Sequence, residues 1–181
     1  MNGIRLRAAI LNDAAALGAM HVASWRETYR GILPDEMLAD LSVDSRTAMW
    51  TTILGNRDAF GDTAVLVAQD SDDIVGFGSC GRQRDVGLAD AGFGGEIGAI
   101  YVQRSHQHRG IGRAIMSAMA QALSALGQDA ASLWVLRENF PARAFYEGLG
   151  GEIVGEKSDE LPNVTLVELA YGWRDLAALV G

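Results

Sequence analysis

The stretch from Glu96 to Ala125, EIGAIYVQRSHQHRGIGRAIMSAMAQALSA, constrains the fold more than any other. Ile97 to Val102 is apolar and β-branched at several positions, the pattern of a buried strand. Polar residues follow to Arg109. Gly110-Ile111-Gly112 then opens a helical pattern, with apolar residues at Ile111, Ile115, Ala118, Ala122 and Leu126 on one face. The first turn of such a helix leaves backbone amides without partners, at the positive end of the helix dipole. A phosphate fits that place. Glycines keep Cβ atoms out of an anion's way, and Arg109 and Arg113 can add charge-assisted contacts. The bland reading stands beside this one, because many strand–helix turns carry two glycines.

Two better-known phosphate motifs are excluded. A dinucleotide fingerprint needs a third glycine and an acidic residue at the end of a second strand. Asp129 lies near the required distance but precedes the next strand, Ser132 to Leu136. A Walker loop needs Gly-Lys-Ser/Thr, and the only lysine is Lys157.

Length and charge narrow the classes further. A chain of 181 residues can bury one full core, so a single domain over residues 1–181 is expected. No apolar run reaches about 18 residues, so no membrane span is expected. The N-terminus lacks the basic start and apolar run of a signal peptide, which points to a cytoplasmic protein. The net charge of −8 argues against nucleic-acid binding and favours cationic partners. Arginine supplies 14 of the 15 basic residues, and with abundant Ala and Gly this suggests the coding bias of a GC-rich, bacterial genome. Cys80 is the one cysteine, so no internal disulfide forms; its place in a strand-like run reads as core. The three histidines lack metal-ligand spacing, and no metal is expected.

Strands are read at Ile4–Arg7, Thr63–Gln69, Ile74–Arg82, Ile97–Val102, Ala131–Leu136, Ile153–Glu156 and Val164–Tyr171. Asp85 to Gly95 reads as a connecting loop. Asn12 or Asp13 can cap a helix running to about Tyr29, and Ser42 one from Val43 to Leu54. Asn139 caps another, with Pro141 in its first turn, where a missing N–H costs little. In the first helix His21, Trp25 and Tyr29 are four apart and share a face. Core packing and a role in a site are equally open for them.

Two segments carry a family resemblance. Gln107-His108-Arg109-Gly110-Ile111-Gly112, after Ile100-Tyr101-Val102, resembles the Gln/Arg-x-x-Gly-x-Gly/Ala pyrophosphate turn of the GCN5-related N-acetyltransferase (GNAT) family. Asn139 to Gly150, NFPARAFYEGLG, resembles the family's Asn-x-x-Ala-x-x-Phe-Tyr-Glu-x-x-Gly segment. His21-x-x-Ser24-Trp25-Arg26-x-x-Tyr29-x-Gly31 is similar to a bacterial subgroup. The resemblance covers about Ile4 to Tyr171. It departs at Arg104-Ser105, where members often have proline, and at Gly150-Gly151, where they often have Gly-Phe.

The resemblance implies an α/β (α+β) acyl-CoA N-acyltransferase fold, a mixed, mostly antiparallel central sheet flanked by helices, with the fourth and fifth strands splayed. It implies acetyl-CoA as co-substrate and direct transfer to a primary amine of a small molecule or peptide. The alternative is a catalytically silent acyl-CoA-binding regulatory module on the same fold. The backbone of Ile100, Tyr101 and Val102 would bind pantetheine, with the Val102 N–H on the thioester carbonyl. Amides from His108 through Arg109, Gly110, Ile111 and Gly112 to Arg113 would hold the pyrophosphate. Gln107 would fix the loop, and Asn139 would lie near the pantetheine arm. Tyr146 would protonate the leaving thiolate, and Glu96 would act as general base through water. His21, Trp25 and Tyr29 would form the acceptor wall, and Asp159 and Glu160 could attract a cation. Dimerisation is common in the family.

Overall fold

The computed structural model describes every residue except 1, 2, 57, 61, 162, 163 and 181. In chain order the elements are β1 (Ile4–Ala8), α1 (Ala14–Tyr29), α2 (Asp35–Ala39), α3 (Val43–Gly55), β2 (Ala64–Asp70), β3 (Asp73–Arg82) and α4 (Val86–Asp90). Then follow β4 (Gly95–Val102), α5 (Ile111–Ala125), β5 (Ala131–Leu136), α6 (Phe140–Glu147), β6 (Glu152–Leu161) and β7 (Val164–Trp173).

The strands form one seven-stranded sheet in the order β1-β2-β3-β4-β5-β7-β6. Every pairing is antiparallel except β4 with β5. That parallel pair is joined at only two positions, Gly95 with Ala131 and Glu96 with Ser132. The cause lies one strand away. Ser79 of β3 faces Ala99 and Cys80 faces Ile97, so Gly98 is an extra residue in β4. Such a bulge bends its strand and increases the local twist. β4 therefore leaves β5 just past Glu96, and the sheet splays there.

Helix α5 covers one face of the sheet. Ile111, Ile115, Met116, Met119 and Leu123 are fully buried, the helix packing against β2, β3 and β4, each contributing about 1.5–3 kcal/mol. The helix lies close because β3 offers no side chain at Gly78. A Cβ there would sit 2.6 Å from Ile115 Cγ2 and 2.8 Å from Met119 Sδ. The buried face is rotated from the expected one: Ala118, Ala122 and Leu126 are only partly buried. Methionines and a leucine offer more apolar area than alanines, so they take the centre of the contact. On the opposite face α1 and α3 bring Leu17, Met20, Trp50 and Leu54 onto Val65, Val67 and Phe77.

Three local expectations change. The stretch Asp85 to Gly95 contains α4, capped by Asp85, whose Oδ1 accepts from Leu88 N at 3.1 Å. Strand β6 continues past Glu156 to Leu161, pairing with β7 up to the hairpin. Asp13 precedes α1 without a side-chain cap bond. It accepts instead from Arg7, at 2.7 and 2.9 Å, and from the Ile10 amide at 2.8 Å. The Arg7 guanidinium holds the Asp13 carboxyl below the usual carboxylate range. The caps at Ser42 and Asn139 form as expected. Among the described residues no helix is long and apolar enough to cross a membrane.

Candidate active site

Where β4 and β5 part, a cavity of about 730 Å³ opens. Ile97 to Val102 line one side and Leu133 to Val135 the other. Past Glu96 the outer edge of β4 has no strand partner among the described residues. Its backbone groups there remain available to an extended ligand.

At one end the cavity meets the start of α5. Gly110 takes φ +81°, a left-handed conformation that glycine reaches without strain. His108 also lies in this region, at φ +59°, where a side chain is strained by about 1 kcal/mol. These two residues turn the chain into the helix. Amides from His108 to Arg113 have no backbone acceptor among the described residues; the first intrahelical bond runs from Ala114 N to Gly110 O, 3.0 Å. No acidic side chain occupies this first turn. Gln107 pins the loop to the strand, its Nε2 donating to Val102 O at 3.1 Å. Arg104, His106, His108 and Arg113 line this end, whereas Arg109 does not. Gly112 has a packing role: a Cβ there would meet the Phe145 ring at 3.1 Å.

At the centre, α6 presents Tyr146. The helix is set by Asn139, 6 % exposed, whose Oδ1 accepts from Ala142 N at 3.3 Å; both Asn139 and Tyr146 line the cavity. The Tyr146 ring packs on Tyr171 and Trp173, with centroids 5.8 and 6.0 Å away. Burial, reinforced by Tyr29, raises its pKa well above that of a free phenol, so the hydroxyl stays protonated.

The far end is walled by the last turns of α1. Ser24, Glu27, Thr28, Tyr29 and Ile32 line it. Glu27 is the one carboxylate among the described lining residues. Of the three residues expected here, only Tyr29 reaches the cavity. Its hydroxyl lies 3.2 Å from that of Tyr101. His21 and Trp25 support from behind. His21 sits among Trp25, Trp50, Phe77 and Tyr101, with ring centroids 5.6–5.8 Å away. Burial, helped by Arg46, lowers its pKa to about 4, and its Nδ1 has no hydrogen-bond partner. Thr28 was not singled out in the sequence, and Ser24 only as a member of the subgroup motif, although they stand four apart, the spacing of one helix face.

Glu96 has another partner. Its carboxylate accepts from Arg84 through Nε at 2.9 Å, through Nη2, and through the Arg84 amide at 3.1 Å. It does not line the cavity. Asp159 and Glu160 lie exposed on β6, also away from it. Cys80 is buried against α5, its thiol pushed up to about 12 by burial, and lies outside the cavity as well.

Known proteins resemble this chain in sequence and in fold. Residues 22–150 match the family model described as the acetyltransferase (GNAT) family. The chain is 34% identical over 177 residues to the uncharacterized N-acetyltransferase YuaI of Bacillus subtilis, covering 97% of this chain and 96% of that one. The structure of PaiA N-acetyltransferase from Thermoplasma acidophilum, in complex with coenzyme A, superposes with a TM-score of 0.72 at 18% identity, over 92% of this chain and 97% of that one. YncA from Salmonella typhimurium, solved with its cofactor acetyl-CoA, gives 0.70 at 18% identity, over 96% and 94%. This chain belongs to the GNAT family of acetyltransferases.

Proposed function

We propose that the enzyme moves an acetyl group from acetyl-CoA directly to a primary amine of a small molecule or peptide. One observation carries this reading. A single cavity joins a free strand edge, a row of unpartnered amides and a buried, protonated phenol to a wall bearing one carboxylate.

These groups fit a coenzyme A thioester. The amides from His108 to Arg113, with the helix dipole behind them, suit a pyrophosphate. The open edge at Ile100, Tyr101 and Val102 suits the amides of an extended arm, with Asn139 beside it. The Val102 N–H would polarise the thioester carbonyl. When bound, the thioester supplies the activated acyl group. Tyr146 then holds the proton that the leaving thiolate takes up. A thiol is more acidic than a phenol, so the protonated phenol acts as a donor. Direct transfer is supported by the one cysteine, which lies away from the cavity and keeps its proton, so it offers no thiolate to carry the acyl group.

At the far end Glu27 attracts the ammonium form of the acceptor, and Tyr29 contacts the acceptor itself. His21 and Trp25, from the segment that resembles the bacterial subgroup, hold that wall. We do not assign Glu96 as the base. Its oxygens are engaged by Arg84, and holding both substrates in one cleft supplies much of the rate.

The test is coenzyme A release from acetyl-CoA across pooled amines, wild type beside Tyr146→Phe. We expect release that depends on one pool and falls about a hundredfold in the variant. Equal rates would remove Tyr146 from the mechanism. Acetyl-CoA bound but never turned over by any pool would refute the transfer reading.

A further inference from the structure

The side chain of Tyr101 is not used by the mechanism above, which needs only its backbone. Tyr101 lies on β4, the strand that faces the acyl donor, and its ring turns toward α1. There its hydroxyl meets that of Tyr29 at 3.2 Å. Both residues line the cavity. Burial, followed by the nearby Tyr29, raises the Tyr101 pKa well above the usual phenol range. Burial also raises that of Tyr29. Both hydroxyls therefore carry their protons, and one must donate to the other.

The direction follows from a third group. The indole N–H of Trp25 can only donate. It is buried without a hydrogen-bond partner, and Trp25 acts on the Tyr101 phenol as a donor, lowering its pKa against the larger effect of burial. With a donor directed at its oxygen, Tyr101 turns its own proton toward Tyr29. The Tyr29 oxygen accepts, and its O–H is left free to point into the cavity. We propose that Tyr101 is a positioning residue for the acceptor, fixing Tyr29 as a hydrogen-bond donor that recognises an oxygen atom carried next to the reactive amine. Amino alcohols, amino acid amides and peptide N-termini carry such an oxygen; simple alkylamines do not. One strand residue thus serves both substrates, its backbone toward the donor and its side chain toward the acceptor. This rests on the transfer reading above and narrows its acceptor class.

The chain has four tyrosines, so protein labelled with 13C at tyrosine Cζ gives four resonances. Single Tyr→Phe variants assign them and retain the rings. Ethanolamine and propylamine, nearly equal in size, serve as binding probes in the presence of coenzyme A, which carries no acetyl group to transfer. We expect ethanolamine to shift the Tyr29 signal and propylamine to leave it, with the ethanolamine response lost in Tyr101→Phe. In turnover, Tyr101→Phe should raise the KM for ethanolamine about tenfold and leave kcat within about twofold. Adding Tyr29→Phe should cost little more, because the two hydroxyls act as a unit. The proposal is overturned if both amines shift Tyr29 equally, if the response survives Tyr101→Phe, or if the two substitutions multiply in KM. The Tyr146 resonance reports acetyl-CoA binding separately. Failure there counts against the functional reading and is distinguishable from failure here.

Discussion

The two ends of the cavity are made from different material. The end we assign to the donor is backbone: a freed strand edge and consecutive unpartnered amides at the turn made by His108 and Gly110. The end we assign to the acceptor is side chain: Glu27, Thr28, Tyr29 and Ser24 from α1, with Tyr101 reaching across from β4. Backbone groups are present whatever the residue, so the donor end depends on conformation. The acceptor end depends on identity, and each substitution there changes what is recognised. A family can therefore keep one donor while its acceptors diverge.

Four substitutions or conditions test that contrast. Tyr146 lies where the ends meet and should affect chemistry alone. Tyr146→Phe is expected to lower kcat about a hundredfold with acetyl-CoA affinity, measured by calorimetry, changed less than about twofold. A matching loss of affinity would place Tyr146 in the donor end instead.

The next effect concerns acid. His21 titrates at about 4 in the folded protein, below its ordinary 6.5. Between those values the unfolded chain binds the extra proton, so stability falls as pH drops from 6.5 to 4 and levels off below. The loss from this group is about 3 kcal/mol. Denaturant melts across that range should show it in the wild type and lack it in His21→Phe. An unchanged slope in His21→Phe would take the acceptor support out of the acid response.

The third test strains the donor end. Gly110→Val forces a β-branched residue into the left-handed region at a cost of about 1–2 kcal/mol. Acetyl-CoA Kd should rise about tenfold. The acceptor KM, measured at saturating acetyl-CoA, should stay put; if it moves equally, the ends are not independent.

The smallest effect is expected at Glu27. Removing one exposed charge is worth at most about 1 kcal/mol, so Glu27→Gln should raise the acceptor KM two- to fivefold. The difference should shrink in high salt. A salt-independent effect would mean that Glu27 acts by direct hydrogen bonding instead of by attraction.

The same contrast explains what the sequence revealed. The donor end was legible because its conformational needs leave residue signatures: a glycine where φ is positive, a helical pattern after it, an Asn-x-Pro cap before α6. The seven strands and their order along the chain were legible for similar reasons. Helix α4 was not, because five residues containing Gly87 show no periodicity. The outer half of β6 was not, because Lys157 to Glu160 are exposed on an edge strand and lack alternation. The pairing of Glu96 with Arg84 was hidden because nothing local says which side of a strand end a carboxylate takes. The acceptor wall was only half legible. Helix spacing put His21, Trp25 and Tyr29 on one face, but only the packing of α1 across β4 decides which of them meets the cavity.

The bulge at Gly98 has a mechanical consequence. With β4 and β5 sharing two residue pairs, the sheet consists of a four-stranded and a three-stranded panel stitched at one short seam. Helix α5 packs on the four-stranded panel, against β2, β3 and β4, and shares one apolar core with residues of the other panel. Each panel can open on its own more readily than the strands within it can part. A ligand lodged in the gap acts as a keystone. Amide exchange in the two panels, uncorrelated in the free protein, should slow together once the gap is filled.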